Sequence, residues 1–137
     1  MSQHARGPFD VKLTPQKPDN APAESAGFGR MSIDKQFHGD LEATSAGEML
    51  AAMTGVQGSA GYVAIERVTG ALHGRSGSFV LQHNATMTRG TPHLNVIVVP
   101  DSGTGELAGL SGTMNIVIAE GGKHSYELDY TLTASDR

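Results

Sequence analysis

The sequence predicts an all-β protein: one domain over 1–137, folded as a closed antiparallel β-barrel of about eight strands. Three observations carry that reading. There are 18 glycines, no tryptophan and few aromatics, and the glycines have no three-residue period, which describes a turn-rich β-protein. An internal repeat, Gly-x-Leu-x-Gly-x-Ser-Gly-(Ser/Thr), occurs at Gly70–Ser78 and again at Gly105–Thr113, with a fainter copy at Gly39–Ser45. Short runs rich in β-branched residues flank the two full copies, each too short for a helix.

In chain order, a flexible N-terminus at 1–8 precedes a strand near Phe9–Leu13. A Pro-rich stretch, Thr14–Pro22, follows as linker or cover. Strands are then expected at Gly29–His38 and Leu41–Met53. Within the second, Glu48–Met53 also has helical propensity, and the strand reading is preferred. The central strands are Tyr62–Val68, Phe79–His83, Leu94–Val99 and Met114–Ile118. Each copy of the repeat is read as a β-hairpin or β-corner whose glycines supply positive φ or close approach and whose leucine plugs the end of the core. The last strand, Tyr126–Leu132, alternates apolar with polar residues, giving one buried and one wet face. Closure removes the exposed edges that an open sheet must protect.

Composition narrows the function. A formal charge of -4 with scattered lysines and arginines offers no basic patch, so no nucleic-acid partner is expected. With no cysteine there are no disulfides, thiolate metal sites or cysteine nucleophiles, which suits a reducing cytoplasm. The start is polar and no long apolar run follows, so neither a signal peptide nor a membrane span is expected. The cytoplasm is the expected location.

Glu66–Gly70 with Gly74–His83, then Val99–Leu110 and Tyr126–Tyr130, resemble an uncharacterised bacterial family, the domain of unknown function 3224. The resemblance runs from about Phe9 onward. It implies an allene-oxide-cyclase-like barrel, similar in shape to dirigent proteins and lipocalins. That family carries no established activity, so no catalytic residue transfers. No motif here matches the active site of the plant cyclase, and fold alone does not imply function.

The residues themselves offer candidates. Glu66 sits mid-strand on the face of Tyr62, Ala64 and Val68, where desolvation would raise its pKa and make it a general base. The plainer reading, which is preferred, is an ion pair with an arginine or lysine of a neighbouring strand or subunit, since Arg67 points the other way. A tight His73-Gly74 turn would set Leu72 across from Arg75 and bring His83 to the face of Glu66 and Tyr62, forming an acid–base cluster. A one-residue change in loop length would put Gln82 there instead. Tyr126 and Tyr130 could offer hydroxyls to a ligand, though buried tyrosines are more often core residues bonded to backbone or water. His38 and Glu42 can meet across a turn as a solvated pair. The remaining histidines (His4, His73, His93, His124) lack metal-ligand spacing, so neither metal nor cofactor is expected. Ser76, Ser78 and Ser111 are turn residues, because neither a nucleophile elbow nor a phosphate loop surrounds them.

The strand Leu94–Val99 loads both faces with apolar groups, and Met114–Ile118 nearly does. Both faces of such a strand need cover, so a homo-oligomer is expected, with Thr14–Pro22 as the alternative cover. Three functions compete: a barrel that binds a small apolar or amphipathic metabolite with isomerase- or cyclase-type chemistry on Glu66, a lipocalin-like carrier, and an oligomeric structural module with a filled core.

Overall fold

Among the described residues eight strands follow one another in a meander, each antiparallel to the next, and the first closes on the last. They are β1 (Gln3–Gln16), β2 (Gly29–Phe37), β3 (Leu41–Met53), β4 (Ala60–Leu72), β5 (Arg75–Thr88), β6 (Thr91–Val98), β7 (Leu110–Ile118) and β8 (His124–Leu132). A six-residue helix, α1 (Ala21–Ala26), joins β1 to β2. The computed structural model describes residues 2–133; Met1 and 134–137 of the expected domain lie outside the described residues. The Glu48–Met53 segment is strand, its helical propensity overridden by pairing with β2 and β4 along its length.

Two expectations at the N-terminus are corrected. The segment foreseen as flexible is β1 from Gln3 onward, because this long strand serves two neighbours: Gln3–Phe9 pairs with β8 and Phe9–Gln16 with β2. Thr14–Gln16 therefore belongs to the sheet, and only the rest of the Pro-rich stretch is a connection. It leads into α1, capped by Asn20, whose side chain accepts from the Ala23 N–H. Helix α1 buries none of its residues, so it does not blanket the barrel.

All three glycine-marked corners lie at one end. There Leu41, Leu72 and Leu107 are fully buried, with Leu110, Phe37, Phe79 and Tyr126 packed on them, so the repeat's leucines do plug the core. The β4–β5 turn, His73-Gly74, has positive φ at both residues (48° and 80°), the geometry whose twist matches a two-residue hairpin. Tyr126 ties this closed end together: its hydroxyl accepts from the Leu41 N–H at 2.8 Å and donates to the His38 carbonyl at 2.7 Å.

The opposite end is open, and the sheet there is incomplete. β6 and β7 share one registered pair, Ile97↔Thr113, and diverge towards Thr91 and Ile118. The inward side chains of β6 bury well only deep in the barrel, Val96 and Val98 being 1% and 4% exposed, while Leu94 at the split is 38% exposed. Outward-facing Ile97 and Val99 are half-buried. Away from the strand ends, Leu50, Val63 and Ile65 of β3 and β4 form an open apolar stripe on the outer face, one that the residue pattern does not single out.

Candidate functional site

The site grows from one carboxylate. In β4 the even-numbered side chains point inward, so Tyr62, Ala64, Glu66 and Val68 line the interior. The two-residue turn sets Leu72 opposite Arg75, hence Glu66 opposite Leu81 and Ala64 opposite His83. His83 is the diagonal neighbour of Glu66, within reach of a long side chain. Its Nε2–H donates to Glu66 Oε2 at 2.5 Å. Gln82 faces outward beside Val63 and Ile65 and does not reach the interior.

The cation comes from two strands away. Lys35 lies inward on β2 between Ile33 and Phe37, and its Nζ donates to the same Oε2 at 2.8 Å. It reaches across β3, where Gly47 stands between Ile33 and Glu66 in the register and offers no side chain to block the path. Ser45, also on β3, donates to Glu66 Oε1 at 2.5 Å. The ammonium lies 5.1 Å and 5.7 Å from the ring centres of Phe9 and Phe37, a cation–π arrangement on its apolar side. Glu66 is wholly buried, and Lys35 and His83 nearly so.

This arrangement corrects the expected pKa of Glu66. Burial pushes the carboxyl up, but the hydrogen bond from His83, the charge and hydrogen bond of Lys35 and the hydrogen bond from Ser45 together outweigh it, holding the group at about 2. The geometry supports the ion-pair reading, with the lysine two strands away instead of on a neighbouring strand, and an anion so well satisfied is a poor general base. It also ties stability to pH. A carboxyl held at about 2 when folded, against 4.5 otherwise, stabilises the fold fully above the unfolded value and loses that contribution as pH falls from there through about 2. The contribution is about 3 kcal/mol. Urea unfolding of the wild type from neutral pH down to about pH 2 should therefore show that extra loss relative to a variant carrying Lys35→Met and Glu66→Leu together. Parallel pH curves would contradict it.

Between the cluster and the open end lies a cavity of about 520 Å³. Its walls are apolar, with Phe9, Ile33, Met49, Ala64, Leu94 and Ile116 contributed by different strands, and Lys35 and His83 form its polar floor. Tyr62 is half-buried on the wall with its ring centre 6.5 Å from that of His83. Burial, and secondarily the charge of Glu66, raise its hydroxyl pKa. His124 stands at the rim against Phe9. The split between β6 and β7 opens beside Leu94 and Ile116 and gives a lateral way in.

The structure thus gathers Glu66, His83 and Tyr62 in one place and leaves the other candidates out of it. Tyr126 and Tyr130, considered for ligand contact, sit at the closed end with their hydroxyls engaged. That of Tyr130 meets His73 Nδ1 at 2.5 Å and Gln3 at 3.3 Å, so both are core residues fastening β8. His38 lies 3.7 Å from Glu42 in an exposed pair. The sequence reading missed Lys35, Ser45 and Gly47. The signal for Lys35 was there, a cation on the inward parity of Ile33 and Phe37; nothing local marks Ser45 or Gly47.

The chain matches a family profile described as "Protein of unknown function (DUF3224)" over residues 5–130. The crystal structure of a protein of unknown function from that family, from Shewanella oneidensis MR-1, is similar at 54% sequence identity. The match covers 98% of this chain and 100% of that one, with a TM-score of 0.89. No curated protein matches.

Proposed function

This chain belongs to the DUF3224 family of proteins of unknown function, and from that premise we propose that its barrel binds a small apolar or amphipathic molecule. One observation carries the reading: the barrel is filled by its own side chains at the closed end only, and the open half holds a cavity of about 520 Å³ ending on buried polar groups. Apolar walls with a few converging polar groups are the usual make-up of a ligand site, and the volume falls in the usual range. The apolar body of the ligand lies against Phe9, Ile33 and Met49, and its polar group meets Lys35 and His83. An unfilled half argues against a purely structural barrel. Allene-oxide-cyclase-like and lipocalin-like barrels supply the analogy of shape, and the carrier reading differs from this one only in lacking chemistry.

Native mass spectrometry of protein purified from its own host is expected to show a retained small molecule. Ala64→Phe, which fills the cavity from the wall, should release it without unfolding the barrel. A ligand retained equally by that variant would remove the cavity from the account.

We also propose a homo-oligomer, formed through the outward stripe of β3 and β4. Leu50, Val63 and Ile65 are 47%, 54% and 56% exposed, Leu50 and Val63 are directly paired, and the uncharged amides of Gln82 and Asn84 border them. A second copy of this chain, presenting the same apolar stripe and amide border about a twofold axis, would cover it. Light scattering should give a multiple of 14.3 kDa, and Ile65→Lys should return it to the monomer mass; a monomeric wild type would end the proposal. Among the described residues no helix is long and apolar enough to cross a membrane. The cysteine-free composition suits a reducing compartment, and we place the protein in the cytoplasm.

A further inference from the structure

We infer that the cavity enolises an apolar ketone, with His83 Nδ1 as the base that takes the α-proton and the Lys35 ammonium as the group that holds the enolate oxygen. The inference rests on the binding reading above and adds a reaction to it.

The tautomer of His83 follows from its partner. Glu66 is ionised and can only accept, so the proton between them belongs to Nε2, and a neutral imidazole then carries its lone pair on Nδ1. Among the described residues Nδ1 has no hydrogen-bond partner, and no buried side-chain nitrogen or oxygen is left unpartnered. Nδ1 therefore opens onto space, and the space that His83 lines inside the barrel is the cavity. The single negative charge of Glu66 is already matched by Lys35, so charge balance leaves the imidazole free to be neutral.

Lys35 and His83 bind the same carboxylate oxygen, at 2.8 Å and 2.5 Å, so ammonium and imidazole stand side by side on the cavity floor. A carbonyl oxygen resting on Lys35 would bring its α-carbon to the imidazole. The α C–H bond breaks and its proton goes to Nδ1. The electron pair becomes the carbon–carbon double bond of the enolate, and the charge moves to the oxygen facing Lys35. The imidazolium so formed is stabilised by Glu66, which acts as a positioning residue. Return of the proton to the same carbon regenerates the ketone, and return to the γ-carbon of an unsaturated ketone shifts the double bond. Neither outcome needs an oxidant, a reductant or a second substrate. Because Glu66 fixes Lys35 as an ammonium, the lysine is an electrostatic partner and not an imine-forming amine.

The test is β-tetralone in deuterium oxide, followed by proton NMR, with saturation transfer from the protein reporting binding in the same sample. Bound ketone should exchange its α-protons about 10²–10⁴ times faster than without protein, the usual worth of a positioned base. His83→Gln can still donate an amide proton to Glu66, so it should fold, and the ketone it still holds, counted by saturation transfer, should exchange at the protein-free rate. Glu66→Gln, where it remains folded, should slow the exchange of bound ketone while saturation transfer from the protein persists, because the imidazolium formed in the step loses the anion beside it. Lys35, Glu66, Tyr62 and, at the rim, His124 are the titratable groups facing that site. Bound ketone without acceleration, or full acceleration in His83→Gln, overturns the inference and leaves the binding reading standing. No bound ketone overturns the inference alone, and the retained-ligand measurement decides the binding reading.

Discussion

Glu66→Leu is expected to destabilise the barrel by about 3–5 kcal/mol, the loss seen when one partner of a buried ion pair is removed. The cause is what remains behind. Lys35 is 6% exposed and its ammonium would be left among Phe9, Phe37 and Ile33 with no anion, while the Ser45 hydroxyl and the His83 N–H would lose their acceptor. A buried ion pair exchanged whole for apolar side chains is often neutral or stabilising. Lys35→Met and Glu66→Leu combined should therefore recover most of the loss, short of about 1–3 kcal/mol for the stranded polar groups. Urea midpoints of the four proteins form a double-mutant cycle with strong coupling between the two positions. Additive single effects would mean that Lys35 does not depend on Glu66, and the description of the cluster would fail.

Gly47→Ala should be nearly as damaging, at about 3 kcal/mol or more, although it adds only a methyl group. A Cβ at Gly47 would lie 2.0 Å from the Ile65 carbonyl oxygen and 2.6 Å from the Glu66 Cα, both main-chain atoms of the paired strand. Neither can move aside like the end of a flexible side chain, so β3 and β4 would have to separate where the carboxylate is held. The same substitution should weaken ligand retention, because it displaces Glu66 and intrudes on the path by which Lys35 reaches it. Gly55→Ala, where an added Cβ meets nothing within 4 Å, is the matched control. Equal unfolding midpoints for the two variants would show that the strands are not in such close contact.

Much of the barrel was legible in the residues. Strand periodicity is two, so Tyr62, Ala64, Glu66 and Val68 had to share a face, and the β4–β5 register followed from reading His73-Gly74 as a two-residue turn. That is why His83, and not Gln82, stands beside Glu66. Leu41, Leu72 and Leu107 were marked as end-plugs by the repeat, and the structure buries all three. The N-terminus was misread because a strand's second neighbour cannot be seen in its own sequence: Gln3–Phe9 is polar enough to pass for a loose tail until β8 supplies its hydrogen bonds.

Local periodicity and the glycine-marked repeat are enough for the all-β class and for the leucines that plug the core, and they narrow the strand partner of Glu66 to His83 or Gln82 according to the length of one turn. That Lys35 neutralises Glu66, that the carboxyl is thereby held down instead of raised, and that a cavity stays open beyond the cluster emerge only when the strands are assembled. Those outcomes depend on contacts across an intervening strand and on β6 and β7 parting beyond Ile97. Both are set by the curvature of the closed sheet, which no short stretch of sequence encodes.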